Sequence, residues 1–345
     1  MPPPTMKRVA IALGVSVTTV SKVLNNRGDI GPGTRARVLA KVEELGYQRN
    51  VLARNLSLRR THTLGVVVPE LMHSFFAEIV AGIEPIASAS GYGVLLCNSN
   101  EDARKERADL QLLRGRQVDG VVLAAARASN NGDVLLQLTR GGTGLVMIDR
   151  DDHPEIPCHR VLTDDVRVGR LATSHLLDLG HRAIAHIGGP PLAHARRRLR
   201  GWRDALRARG VRPAGVWLER TGFMEIDGYR AMKRLLGVRP RIDAVFAVND
   251  PVAIGALKAI WEAGLRVPRD VAVVGAGDIK LGDLLRVPLT TVSWSREEVG
   301  RHAATLLLAH LADPSQTRTR RVIVEPRLVV RESCGASPGG QCCDR

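Results

Sequence analysis

The sequence predicts an α/β protein in two parts: a small helical head with a helix-turn-helix, then a larger two-lobed body of parallel sheets. Three observations predict it. The stretch from Val9 to Asn25 reads as two short helices about a glycine. The formal net charge is +15, and residues 1–60 hold eleven Lys/Arg against three Asp/Glu, so +8 of it lies in the head. Beyond residue 62, short apolar runs alternate with longer amphipathic ones, and the alternation restarts once. That is the pattern of parallel sheets flanked by helices, in two lobes.

In the head, Thr5 is placed to cap the first helix, on which Val9 and Leu13 sit four apart on one face. Gly14 permits the bend, and Ser16 offers its hydroxyl to the second helix. Val20, Val23 and Leu24 form the apolar stripe of that helix. Val17, Thr18, Ser21 and Lys22 are left facing outward near its start, where a helix-turn-helix presents residues to the major groove. An ordinary helical hairpin with a solvated polar face carries the same pattern. Pro32 suits the first turn of a third helix striped by Val38, Val42 and Leu45, and Gly46-Tyr47 ends it.

In the body, strands are predicted at Leu64–Val68, Val94–Cys97, Gly120–Leu123 and Leu145–Ile148, with helices at Phe75–Ser88 and Glu101–Leu113. The second series has helices at Gly169–Leu179, through Trp202 and at Pro251–Ala263, with strands at Ala183–Ile187, Ala244–Ala247 and Val271–Val274. Ligands of open α/β sheets bind beyond the carboxyl ends of strands, so two lobes offer a cleft between those ends.

Several classes are excluded. No apolar run approaches the roughly 18 residues of a membrane span. The N-terminus lacks the apolar core of an export signal, which points to the cytoplasm and argues against a solute-binding transport protein. Cys97 and Cys158 are isolated. Cys334, Cys342 and Cys343 fall in or near a Gly/Ser/Pro-rich segment read as a disordered tail over 334–345. No metal-ligand spacing is present, His175, His181 and His186 read as structural, and no metal or cofactor is expected. The chain has no Gly-x-Ser-x-Gly elbow, phosphate-cradling Gly-x-x-x-x-Gly-Lys or His-Glu-x-x-His pair, so an enzyme is not expected.

The motifs follow one another in a telling order. Val15-Ser16-Val17-Thr18-Thr19-Val20-Ser21-Lys22-Val23-Leu24-Asn25 comes first, then Asn50-Val51-Leu52-Ala53-Arg54-Asn55-Leu56 and Leu64-Gly65-Val66-Val67-Val68-Pro69. Gly180-His181-Arg182, Ile187-Gly188-Gly189-Pro190, Val248-Asn249-Asp250 and Pro288-Leu289-Thr290-Thr291-Val292 follow, ending at Arg331-Glu332-Ser333. Over roughly residues 5–333 the chain resembles the LacI/GalR family of bacterial repressors. The resemblance implies a DNA-binding domain over 5–49, a hinge helix and linker over 50–61, and a periplasmic-binding-protein-like body over 62–333. Three crossings near Leu162, Pro288–Thr290 and Arg320 would give lobe one as 62–161 plus 291–320, and lobe two as 162–289 plus 321–333. It further implies a homodimer on a palindromic DNA operator, controlled by a small-molecule effector, a sugar or sugar derivative or else a nucleobase or other metabolite.

The resemblance also assigns residues. Val17, Thr18 and Lys22 fall at base-reading positions, with phosphate as the alternative for Lys22. Thr5, Ser16, Thr19, Ser21, Asn25 and Asn50 fall at phosphate-contacting or capping positions, and Ala53 and Leu56 at the minor-groove hinge. His73, Phe76, Asp149, Arg198, Phe223 and Asn249 fall at effector contacts. Four departures stand out: Arg8 where an acid is usual, Arg49 in place of the proline before the hinge, His73-Ser74 in place of Asn-Pro, and Gly277 in place of an aspartate. The missing carboxylate and the run Arg196, Arg197, Arg198, Arg200, Arg203 lean toward an effector bearing negative charge.

Overall fold

The first helices begin where side-chain oxygens are placed to cap them. In the computed structural model, which describes residues 4–25, 29–47, 60–72, 74–239, 241–315 and 318–336, Thr5 Oγ1 accepts from the Arg8 amide at 3.3 Å and opens α1 (Met6–Leu13). Ser16 Oγ accepts from the Thr19 amide at 3.0 Å and opens α2 (Val17–Leu24). Between them Gly14 takes φ 68°, a left-handed conformation that costs glycine little. Helix α3 (Pro32–Glu44) starts on its proline. Val9, Ala10, Val20, Val23, Val38 and Tyr47 form the core of this unit, which spans 1–61 and is separate from 62–345.

The second unit holds two six-stranded sheets. The first contains β1 (Thr63–Val68), β2 (Gly93–Asn98), β3 (Gly120–Leu123), β4 (Gly144–Ile148), β5 (His159–Thr163) and β11 (Arg321–Val324), all parallel, in the order β11-β5-β4-β3-β1-β2. The second contains β6 (Ile184–Gly188), β7 (Leu218–Arg220), β8 (Ala244–Ala247), β9 (Ala272–Ala276), β10 (Thr290–Ser293) and β12 (Arg327–Val329). Their order is β12-β10-β9-β8-β6-β7, and β12 runs antiparallel to β10. Helices α4 (Ser74–Ala89), α5 (Ala103–Gly115), α6 (Gly132–Arg140) and α11 (Arg296–Ala312) cover the first sheet; α7 (Asp165–Asp178), α8 (Ala193–Ala208), α9 (Glu225–Leu236) and α10 (Asp250–Glu262) cover the second. The interior strands are buried on both faces, which is why β3, β4, β8 and β9 read as unbroken apolar runs and β6 as one interrupted only by His186.

Pairing places the lobe crossings a few residues later than the resemblance implied. Thr290 pairs with Val274, so β10 belongs to the second sheet, and Arg321 pairs with Arg160, so β11 belongs to the first. The chain therefore crosses after Thr163, at Trp294 and at Glu325-Pro326. Three helix pairs pack through glycines against backbone: Gly82 and Gly300 between α4 and α11, Gly169 and Gly201 between α7 and α8, and Gly228 and Gly255 between α9 and α10. A Cβ at Gly169 would stand 2.1 Å from the Arg198 carbonyl oxygen, so alanine there forces the helices apart.

The start of the expected tail needs correction. Cys334 ends a short 3-10 turn (Glu332–Cys334) and is buried, its Sγ 3.2 Å from His175 Nε2 and 3.1 Å from Thr290 Oγ1. Ser333 donates to the Val273 carbonyl at 2.6 Å and accepts from the Thr290 amide at 2.8 Å, which ties the segment to the second sheet. Residues 337–345 lie outside the described residues.

His186 is structural, and its burial makes a testable pH dependence. The ring lies between Phe246 and Trp202, with centroids 4.8 Å and 5.8 Å away. Its Nδ1 is 2.9 Å from the Phe246 carbonyl, whereas its Nε2 has no partner. Burial pushes its pKa down to about 4. The unfolded chain binds this proton near the usual 6.5 and the folded chain does not, so stability is full above pH 6.5 and falls toward pH 4. The loss is on the order of 3 kcal/mol. Asp165, raised to about 6 by burial, acts with the opposite sign over much of that window. Wild-type stability alone is thus uninformative. Urea unfolding of His186→Phe should lose less stability than wild type between pH 6.5 and 4.5, and parallel profiles would remove His186 as the cause.

Candidate functional site

Helix α2 divides cleanly between core and surface. Val20 and Val23 are buried, while Val17 is 44% exposed and Thr18 is exposed. Of the polar residues assigned to phosphate, Thr5 and Ser16 spend an oxygen on capping, and Ser16 Oγ also lies 2.9 Å from Thr19 Oγ1. Asn25 Nδ2 donates to Ser21 Oγ at 3.3 Å. The half-buried Lys22 forms an ion pair with Asp29 that the sequence did not suggest. Exposed pairs of this kind contribute about 0–1 kcal/mol, so a base or phosphate can replace Asp29 at small cost. Asn50, Ala53 and Leu56, with Arg49, lie outside the described residues.

In the body, Phe76, Asp149, Arg198, Phe223 and Asn249 all line one cavity of about 380 Å³ between the lobes. His73 lies outside the described residues. Most of these side chains arrive from the ends of elements, and Arg198 from within a helix. Phe75 and Phe76 open α4, Asp149 follows β4 at φ 61°, Arg198 projects from α8, and Asn249 links β8 to α10. Phe75 meets Phe76 edge-on at 4.9 Å and Trp294 at 5.9 Å, so three rings form an apolar wall.

The charges on the other walls are largely paired within the protein. Arg198 donates from Nε to Asp165 at 2.9 Å and from Nη1 to the Val248 carbonyl at 2.7 Å, and its guanidinium lies 4.9 Å from the Trp294 ring centre. Burial raises the Asp165 pKa to about 6 in spite of that arginine. Arg150 is held by both oxygens of Glu101, at 2.6 and 2.9 Å, and by the Ala125 carbonyl at 2.6 Å. Asp149 is 3.7 Å from Arg150 Nε, and burial raises its pKa against the pull of Arg150 and Arg198. His194 stacks on Phe223 at 5.2 Å, and burial first, then the surrounding arginines, hold its pKa well below the usual value.

Two expectations change here. The resemblance placed Asn249 among the effector contacts, and its amide already has partners within the protein. Its Oδ1 caps α10 through the Val252 amide at 3.0 Å, and its Nδ2 donates to the Phe223 carbonyl at 3.0 Å, which leaves one lone pair and one N–H for an effector. The arginine run does not make the cavity basic, because Arg196, Arg200 and Arg203 are exposed and of that run only Arg198 lines the cavity. Gly277 does line it, at φ 133°, so an aspartate there would need a different backbone. Glu101, Arg150, His194 and Trp294 were missed. Arg150 adjoins Asp149, but adjacency alone carries no signal of which residue turns inward.

This combination of head and cleft has known relatives. Residues 5–50 match the model for bacterial regulatory proteins of the lacI family, and residues 173–334 match that of a periplasmic binding protein-like domain. The ribose operon repressor of Escherichia coli (strain K12) is 35% identical over 333 residues, covering 95% of this chain and 99% of the relative. The chain belongs to the LacI family. As a LacI-family protein it is a DNA-binding transcriptional repressor and not an enzyme. The structure of the lac repressor dimer bound to operator and the anti-inducer ONPF is similar with a TM-score of 0.83 and 27% identity, covering 97% of this chain and 100% of that one. The complex of the regulator CelR with cellobiose is similar with a TM-score of 0.74 and 34% identity, covering 96% and 99%. Among the described residues, no helix of this LacI-family repressor is long and apolar enough to cross a membrane, and no cluster of His, Cys, Asp or Glu is placed to hold a metal.

Proposed function

We propose that this repressor acts in the cytoplasm as a homodimer on a near-palindromic operator, and that a neutral sugar or sugar derivative in the interlobe cavity controls it. One observation carries the effector assignment. Of the arginines lining the cavity, Arg150 and Arg198 are already neutralised by Glu101 and Asp165 and the exposed Arg127 is matched in charge by Glu70 on the same lining, while Asp149 has only a long contact to Arg150. Such a wall offers fixed donors and the carboxylates of Asp149 and Glu70 without net positive charge, which suits hydroxyls better than phosphate or carboxylate. The Phe76, Phe223 and Trp294 rings supply flat apolar surface for the C–H face of a sugar. The ribose operon repressor and the cellobiose complex among its relatives agree with that reading.

The experiment is operator binding by fluorescence anisotropy, with neutral pentoses, hexoses and disaccharides set against phosphorylated sugars and nucleobases. A neutral sugar should change operator affinity at least fivefold, the low end of typical coupling, and Asp149→Asn should abolish that response. A response confined to phosphorylated sugars or nucleobases would overturn the neutral-sugar reading. Effector binding acts by changing the angle between lobes and hence the spacing of the two hinge segments, Asn50 to Leu56, in the dimer; induction is the expected sign.

On the DNA side, Val17, Thr18 and Lys22 read bases, and Thr5, Ser16, Thr19, Ser21, Asn25 and Asn50 position phosphates. Ala53 and Leu56 enter the minor groove. Lys22→Ala should cost about 1–3 kcal/mol and relax preference at one base position per half-site. A uniform loss over all sequences, with a salt slope lower by about one, would assign Lys22 to phosphate instead.

A further inference from the structure

Helix α8 carries six arginines and one aspartate, the most one-sided charge of any described helix. Two of the six are spent inward: Arg198 in the cavity, and the half-buried Arg197 facing Asp151 at 3.5 Å. The other four, Arg196, Arg200, Arg203 and Arg207, are exposed and recur at intervals of four, three and four residues. That spacing places them on one face, along about 16 Å of helix at about 1.5 Å per residue. Within the row the only acid is Asp204, which sits 3.6 Å from Arg200 and 3.4 Å from Arg207 and leaves most of the charge uncompensated. Gly169 and Gly201 let α7 approach α8 closely, which brings the exposed Arg170 to the same layer.

The position of this layer matters as much as its charge. Helices α7 and α8 share one face of the second sheet, and α9 and α10 share the other. The large exposed apolar residues of lobe two include Met224, Ile226, Leu281 and Leu284; none lies on α8, and the α7–α8 layer adds only Leu179, at the C-terminal end of α7. A partner protein held at a stable interface needs an apolar centre, which the α8 face lacks. A phosphate backbone needs none: it takes regularly spaced cations, and arginine presents a planar donor fork to each phosphate.

We propose that the α8 face is a second, sequence-independent DNA-binding surface, on which Arg196, Arg200, Arg203 and Arg207 contact the phosphates of a duplex other than the operator. A repressor holding its operator through the head would then hold a second segment of DNA against lobe two. The inference rests on the operator-binding reading above, and the test separates their failures.

The full-length protein is saturated with unlabelled operator, and a fluorescent duplex lacking the operator sequence is titrated in at low and moderate salt. Wild type should form a ternary complex whose affinity falls steeply with salt. The quadruple variant R196Q/R200Q/R203Q/R207Q should bind the second duplex at least tenfold more weakly, with operator affinity unchanged within twofold. The corresponding arginine-to-lysine variant should retain most of the ternary complex, because the contact is largely electrostatic. Absence of a ternary complex in wild type at low salt, or its undiminished survival in the glutamine variant, would overturn the proposal while operator binding stands. Loss of operator binding by wild type itself would instead strike the reading of the head.

Discussion

Arg198→Ala should cost about 3–5 kcal/mol of folding stability, because it removes one partner of a buried ion pair and leaves the other in place. Asp165 is buried, and its carboxylate accepts from Arg198 at 2.9 Å. The Val248 carbonyl would lose its 2.7 Å donor in the same step, and Trp294 would lose the guanidinium at its face. The defect should shrink as pH falls. The Asp165 carboxyl already has a folded pKa raised to about 6, and without its arginine that pKa rises further. A carboxyl with a raised folded pKa contributes stability below its unfolded value and loses it as pH rises through the folded one, so the mutant regains stability by protonating Asp165. Chemical unfolding at pH 8 and pH 5 checks this, with Arg198→Ala/Asp165→Asn recovering part of the loss at pH 8. A loss under about 1 kcal/mol would show that Arg198 is a cavity side chain and not a strut. For the same reason alanine at 198 is a poor probe of effector binding, and Asp149→Asn is the better one.

The head was legible almost to the residue, since every signal in it is local. Thr5, Gly14, Ser16 and Pro32 each act within one turn of their own position. The central strands were legible for a related reason: Gly120–Leu123 and Ala244–Ala247 are buried on both faces, so apolar runs mark them directly. Elements that depend on distant pairing were not. Strands β7, β11 and β12 are three or four residues long and partly exposed, and only their neighbours make them strands. Helices α6, α9 and α11 also escaped; α11 buries one face, but Arg296, Gly300, Ala303 and Ala304 make up half of it, so its apolar stripe is faint in the sequence.

The cavity shows the same division. Positions taken from the resemblance converge on it, yet what each side chain does there depends on partners far along the chain. Arg150 is neutralised by Glu101, 49 residues away, and Arg198 is anchored to Val248, 50 residues away. Within Arg196–Arg200 the composition is nearly uniform. Only the rotation of α8 against α7, set by the Gly169–Gly201 contact, decides that Arg198 turns inward while Arg196 and Arg200 face water. The ion pair of Lys22 with Asp29 joins residues of unlike motifs, and no spacing rule foretells it.

Leu281→Glu combined with Leu284→Glu should convert the repressor to a monomer and lower operator affinity by at least about a hundredfold. In isolation these side chains are 63% and 79% exposed, and Met224 and Ile226 of the same lobe are 38% and 51% exposed. Exposed apolar side chains gathered on one lobe make that surface the candidate for the subunit interface. On the proposed reading one α2 helix reads a half-site, so two heads on one dimer make the second contact intramolecular, and separating the subunits forfeits that gain without altering any of the residues assigned to DNA. The loss should accordingly be large on a full palindrome and small on an isolated half-site. Sedimentation equilibrium gives the oligomeric state, and anisotropy on the two duplexes gives the affinities. A double variant that stays dimeric would place the interface elsewhere. One that becomes monomeric yet holds the full operator as tightly as wild type would show that the heads act singly, and the two-fold operator itself would have to be abandoned.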